Sequence, residues 1–312
     1  MKKVFIDGET GTTGLQVKDR LVNHPGIEII SIDPEKKRDV EEKRRLMKEA
    51  DVTVLCLPDD AAKDSVVLAK EEGCRILDAS SVHRVAEGWV YGLPELDVTQ
   101  REKIKSAQFV SNPGCYPTGA ILLLKPLVEA GLLSASYDYS INAVSGYSGG
   151  GNAIIDRYEG DNNAPIFGAY GLSFNHKHLA EMKKWSGLDK APIFVPSVGN
   201  FRQGMLTFLP IQLKDGVTME QLHAKLVEVY ANDTFVTVNG LNVVADNAAP
   251  FLTPHGLEDT NQIELSVLSE PGNKSGILVA KLDNLGKGAS GAAVQNLNIM
   301  LGFDEAIAVN LR

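Results

Sequence analysis

The opening stretch of the chain narrows its fold more than any other. Lys3-Val4-Phe5-Ile6 is short, apolar and closed by Asp7, which describes a buried first strand. It runs into Gly8-Glu9-Thr10-Gly11-Thr12-Thr13-Gly14, a GxxGxxG spacing, and then into a helix expected from about Leu15 to Val22. In that order a glycine loop lets backbone N–H groups approach a pyrophosphate at the helix N-terminus. Gly8, Gly11 and Gly14 would give the close approach, and Thr10, Thr12 and Thr13 could add hydroxyl donors. A plain tight turn has the same composition; the place at the head of an α/β pattern favours the binding loop.

The alternation continues. Ile27–Ile32, Val52–Leu57 and Arg75–Ser81 read as strands, and residues 61–72 as a helix stopped by Gly73. Trp89–Leu96 reads as a compact loop, and Gln108-Phe109-Val110 leads into the next turn. Four or five strand–helix alternations in about 115 residues indicate a Rossmann-type doubly wound parallel sheet. Asp33 follows Gly14 by 19 residues, where an acid would take the ribose 2′-hydroxyl of NAD. Lys36, Lys37 and Arg38 come directly after and suit a 2′-phosphate, so the reading leans to NADP, with a solvated basic stretch as the competing account. Ser80, Ser81 and Arg84 follow a strand end, and the carboxyl ends of parallel strands face the ligand crevice.

Ser111-Asn112-Pro113-Gly114-Cys115-Tyr116-Pro117-Thr118 puts a cysteine in a bend before a helix. Pro117 fits a first helical position, and the helix is expected through Ala130 with Gly131 as its stop. Free N–H groups and the positive dipole end there stabilise a thiolate, the form a nucleophile needs. A buried structural thiol is the alternative. Cys56 sits inside an apolar strand and reads as inert core.

Beyond this helix the pattern changes to a strand-rich α+β arrangement with a mainly antiparallel sheet. Strands are expected at 137–144, on both sides of a loop bearing Arg202, and at Phe235–Val238, Leu241–Val244, Asn261–Val267 and Gly276–Leu282. Thr218 with Gln221 three positions on marks a capped helix to Tyr230. Ser145-Gly146-Tyr147-Ser148-Gly149-Gly150-Gly151 is rich in N–H and O–H donors that would suit a phosphate, or else is a linker. His176 and His178 form the one histidine cluster and open a helix; no third ligand at metal spacing follows, so no metal is expected. Asp283-Asn284-Leu285-Gly286-Lys287-Gly288 begins a second glycine-rich turn, expected to close over the cofactor through Asn284 and Gly288. The last helix, from Ala292, is placed back on the first domain. The domains expected are 1–114 for the dinucleotide, 115–282 for catalysis and assembly, and 283–312 as the returning helix.

Three cysteines at wide spacing read as free thiols in a reducing, cytoplasmic setting, and the early Asp7 argues against a signal peptide. No apolar run is long enough to span a membrane. A net charge of −9 argues against nucleic acid as a partner.

Asn112-Pro113-Gly114-Cys115-Tyr116-Pro117-Thr118, the N-terminal glycine loop, Ser145–Gly149 and Lys287-Gly288-Ala289-Ser290-Gly291 together resemble the N-acetyl-gamma-glutamyl-phosphate reductases, in their short form. That family belongs with glyceraldehyde-3-phosphate and aspartate-semialdehyde dehydrogenases. The resemblance implies that Cys115 forms a thioester with an acyl phosphate, that NADPH reduces it, and that a histidine, His178 before His176, is the acid and base. It implies an acyl-phosphate substrate held by Arg84, Ser145, Ser148, Gly149 and Arg202, cofactor contacts at Gly8 to Gly14, Lys36, Arg38, Ser80, Asn284 and Gly288, and a homo-oligomer, dimer or tetramer. Other readings are an aspartate-semialdehyde dehydrogenase, a lysine-pathway acyl-phosphate reductase, or a non-catalytic NADP-binding regulator. Thr12 stands where the longer form has an aromatic residue.

Overall fold

The computed structural model describes residues 1–160, 164–243 and 250–311. The chain divides into two compact units, the first Met1–Pro113 with Ala289–Asn310, the second Gly114–Gly288 with the last two residues.

In the first unit β1 (Lys2–Asp7), α1 (Thr12–Leu21), β2 (Ile27–Ile30), α2 (Val40–Glu49), β3 (Val52–Leu55), α3 (Asp59–Glu72), β4 (Ile76–Asp78), β5 (Val90–Tyr91), α4 (Gln100–Ser106) and β6 (Phe109–Ser111) follow in order. The strands form one sheet in the order β2-β1-β3-β4-β6-β5, parallel throughout. The order reverses between β1 and β3, which opens a crevice at their carboxyl ends. α2 and α3 cover one face over Phe5, Leu46, Met47, Leu55, Val66 and Ile76. Trp89–Leu96, expected as loop, contains β5, two residues paired to β6; so short a strand leaves no alternation to read.

The second unit holds α5 (Cys115–Glu129), β7 (Ser140–Gly146), α6 (Asn152–Glu159), β8 (Phe167–Ala169), α7 (Leu179–Trp185), β9 (Ile193–Gly199), β10 (Met205–Gln212), α8 (Met219–Tyr230), β11 (Val236–Val238), β12 (Ile263–Ser269) and β13 (Ser275–Leu282). Its sheet runs β11-β12-β13-β10-β7-β9-β8, with four of six pairings antiparallel. α5 lies tight on this sheet: a Cβ on Gly119 would sit 2.9 Å from the Ala280 Cβ. Pro126 inside α5 cannot donate to the Leu122 carbonyl. The Tyr230 hydroxyl of α8 donates to that carbonyl instead, at 2.8 Å. Leu241–Val243 is a turn rather than a strand, with Asn242 at φ 61°, and Val244 lies outside the described residues.

The chain then returns to the first unit as α9 (Gly291–Leu301). There α9 packs on α1, α4, β3 and β4, so helices cover both faces of the parallel sheet.

Candidate active site

Cys115 is the first residue of α5, with Gly114 as an N-cap that has no side chain. The helix therefore starts two residues before Pro117, because the Thr118 amide already bonds the Gly114 carbonyl at 3.1 Å. The thiol sits within the first turn, where the dipole argument is strongest. The Gly114 amide is taken by Glu181 Oε2 at 3.0 Å, from a carboxylate 1% exposed on α7. Gly288 closes against the cysteine: a Cβ there would lie 2.7 Å from the Cys115 Cβ. Its own amide donates to the Asp283 carbonyl at 2.9 Å, and Asp283 caps the turn by accepting from the Leu285 and Asp259 amides.

His178 stands at the N-cap of α7, 6% exposed, with its ring 5.9 Å from that of Tyr116. The His176 ring is 4.7 Å from His178, and its Nδ1 accepts the His178 amide at 3.2 Å. Burial and the neighbouring Lys177 lower the basicity of His176. The Tyr170 hydroxyl donates to Tyr116 Oη at 3.2 Å, which donates to the Ser197 carbonyl. Burial raises both phenols, Tyr116 most, and the Cys115 charge raises them further, so both stay neutral beside the thiol. Sequence reasoning missed Glu181, Tyr116 and Tyr170. Tyr116 adjoins the cysteine in sequence, whereas Glu181 and Tyr170 reach it only through the fold.

The Ser145–Gly151 loop departs from expectation. Tyr147–Gly150 is a single tight helical turn, not a string of open donors. The Gly146, Tyr147 and Ser148 amides bond the carbonyls of Gly204, Phe201 and Arg202. The approach is close because a Gly146 Cβ would lie 2.5 Å from the Arg202 oxygen. Ser148 Oγ accepts from Asn284 Nδ2 at 3.0 Å, and a Gly149 Cβ would meet Ser145 Oγ and Asn284 Nδ2 within 3.4 Å. Ser145, Ser148, Gly149 and Asn284 are thus together. Arg202 is ion-paired with Glu159 at 2.6 Å, both half-exposed.

In the first unit Gly8 is at φ +92°, and a Cβ on it would press 2.4 Å from the Cys56 carbonyl oxygen. A Cβ on Gly14 would fall 2.2 Å from the Gly8 oxygen, so the loop folds onto α1 only with glycine at both places. Gly11 caps α1 without a side chain, and no acid stands in the first turn. Such a cradle fits a pyrophosphate. Asp33 spends its carboxylate on the Glu35 amide at 3.0 Å, while Lys36 and Arg38 are exposed and form no ion pair among the described residues. Ser80 follows β4, and Arg84 is 8% exposed with Nη2 on the Ala79 carbonyl at 3.3 Å. No group of three or more metal-ligating side chains occurs among the described residues, and no helix there is long and apolar enough to cross a membrane.

Residues 3–107 match the family model described as semialdehyde dehydrogenase, NAD binding domain, and residues 115–284 match semialdehyde dehydrogenase, dimerisation domain. The chain is 47% identical to N-acetyl-gamma-glutamyl-phosphate reductase of Trichormus variabilis, over 98% of this chain and 99% of that one. It is 46% identical to the enzyme of that name from Chelativorans sp., over 96% and 98%. Among solved structures, aspartate semialdehyde dehydrogenase II of Vibrio cholerae matches with TM-score 0.71 at 14% identity, covering 97% of this chain and 98% of that one. At that identity the likeness is one of fold.

Proposed function

The chain belongs to the N-acetyl-gamma-glutamyl-phosphate reductase family, and from that premise we propose that its chemistry runs through a thioester on Cys115. The reaction is the NADPH-dependent reduction of N-acetyl-gamma-glutamyl phosphate to N-acetylglutamate 5-semialdehyde and phosphate, in arginine biosynthesis. The observation that carries the proposal is the place of Cys115 at the first position of a 15-residue helix, held by Gly288 and beside neutral Tyr116.

Cys115 Sγ attacks the acyl carbon, and the bond to the phosphate oxygen breaks as phosphate leaves. The reduced nicotinamide, when bound, supplies the hydride. His178 gives a proton to the oxygen made anionic by hydride addition and takes the same proton back as the carbon–sulfur bond breaks, which releases the aldehyde and the thiolate. His178 is preferred to His176 because His176 has lost basicity and spends Nδ1 on a backbone amide. In the first unit Gly8 to Gly14 hold the pyrophosphate, Lys36 and Arg38 the 2′-phosphate, and Ser80 the nicotinamide end; Asn284 and Gly288 are the second unit's cofactor contacts. Ser148, whose Oγ already accepts from Asn284, keeps its proton to donate to the substrate phosphate beside Ser145 and Gly149. Arg84 and Arg202 are the cations for the substrate's anionic ends; Arg202 serves only by giving up Glu159.

The active form is a homo-oligomer, dimer or tetramer, in the cytoplasm. The dimerisation-domain match supports the assembly, as does the sheet: α5 and α8 pack on the face of Ala280 and Gly276, so alternation turns Phe208, Val195, Ile193 and Ile277 the other way. Ile193 and Ile277 are exposed there. Ile193→Lys with Ile277→Lys should lower the mass found by light scattering.

The decisive assay is phosphate-dependent NADP⁺ reduction at 340 nm with N-acetylglutamate semialdehyde, run beside aspartate semialdehyde. Activity in wild type and its loss in Cys115→Ser are expected; full activity in Cys115→Ser would remove the thioester.

A further inference from the structure

A second buried cluster lies at the carboxyl end of β4. Asp78 is fully buried. Its Oδ1 accepts the Ser80 amide at 2.9 Å. Its Oδ2 accepts the Ser80 hydroxyl at 2.7 Å and His83 Nδ1 at 2.6 Å. The His83 ring lies flat on Trp89, centroids 4.2 Å apart and planes 11° from parallel, and Trp89 leans in turn on Phe109. One carboxylate thus collects three donors, and an aromatic stack fixes the ring that supplies the third.

This has a direct consequence for Ser80. A serine hydroxyl has one proton and two lone pairs. Here the proton is committed to Asp78, and the backbone N–H is committed as well. Ser80 can therefore only accept. A phosphate or carboxylate oxygen, itself an acceptor, finds no partner there, whereas an N–H donor does.

The sheet order says which part of a dinucleotide reaches that point. The pyrophosphate belongs at the N-terminus of α1, between the ends of β1 and β3, with the adenosine half toward β2. The other half then runs across β3 to β4, where Ser80 stands. We propose that Ser80 Oγ accepts a hydrogen bond from the carboxamide N–H of the nicotinamide, and that Asp78 and His83 are positioning residues that keep this hydroxyl a pure acceptor. The inference rests on the reading that the first unit holds NADP(H), and it names the atom that reads the nicotinamide ring.

Calorimetric titration of the full chain with NADP⁺ and with its 3-acetylpyridine analogue tests it without turnover. The analogue carries a methyl ketone in place of the carboxamide and has no N–H to donate. Wild type should bind NADP⁺ about tenfold more tightly than the analogue, the worth of one buried hydrogen bond. Ser80→Ala should bring the two affinities within about twofold, and Ser80→Thr, which keeps the hydroxyl, should retain the preference. His83→Phe keeps the stack on Trp89 but loses Nδ1–H; it should narrow the preference, which a purely structural role would leave alone. Equal binding of both dinucleotides by wild type, or an undiminished preference in Ser80→Ala, overturns the proposal and leaves the cofactor reading standing. Failure of wild type to bind either dinucleotide removes that reading, and the proposal with it.

Discussion

At the scale of single residues, three thiols of one chain separate by surroundings. Burial, then the charges of Asp78 and Asp7, push the Cys56 thiol up to about 12. Burial and Glu72 raise Cys74. Only Cys115 stands at a helix N-terminus. Iodoacetamide at pH 7 should therefore label Cys115 first, with activity lost in step, as peptide mass mapping would show. Mapping that found Cys56 or Cys74 modified first would contradict this. His178→Asn should lower kcat by about 10²–10⁴-fold, and His176→Asn by much less. Gly288→Ala should cost about a hundredfold in kcat and lower the melting temperature as well, since its new methyl would press on the Cα and Cβ of Cys115 and on the Asp283 carbonyl. The cysteine was legible in sequence because its signals are local: a turn, a proline and an apolar helix. That the amides of Gly146, Tyr147 and Ser148 are already taken was not legible, because their partners, the carbonyls of Gly204, Phe201 and Arg202, lie more than fifty residues along the chain.

At the scale of elements, α8 carries the capping box expected from Thr218 and Gln221, with both reciprocal bonds made. Thr218→Ala should cost about 1 kcal/mol in urea unfolding. Tyr230→Phe should cost about 1–3 kcal/mol, because it leaves the Leu122 carbonyl of the proline-interrupted α5 buried without a donor. His24 ties α9 to the first unit. Its Nδ1 accepts the Gly26 amide and its Nε2 bonds Asn298, which requires a neutral ring. Burial lowers its pKa below the ordinary 6.5, despite the Asn298 bond. As pH falls through 6.5 the unfolded chain takes up the proton first, so stability should decline toward the lower folded value; His24→Gln should flatten that slope in thermal melts between pH 7 and 5. A slope unchanged by the substitution would assign the effect to other groups.

For the whole molecule, the return of α9 makes the first unit discontinuous in sequence. Its buried face, Ala293, Val294, Leu297 and Met300 among others, completes the core over β3 and β4. A chain ending at Gly288 should lose cooperative melting of the first unit and dinucleotide binding together, by calorimetry. The doubly wound class, the glycine loop and the helix of Cys115 were set by local spacing alone, because a 2-residue or 3.6-residue period and a Gly or Pro act within one element. What the tertiary structure decided are the pairings across sequence. Gly288 meets Cys115, Glu181 takes the Gly114 amide, Glu159 neutralises Arg202, and residues 201–204 occupy the amides of 146–148. Packing chooses these partners from many residues of the same type, and neither composition nor period distinguishes the chosen ones.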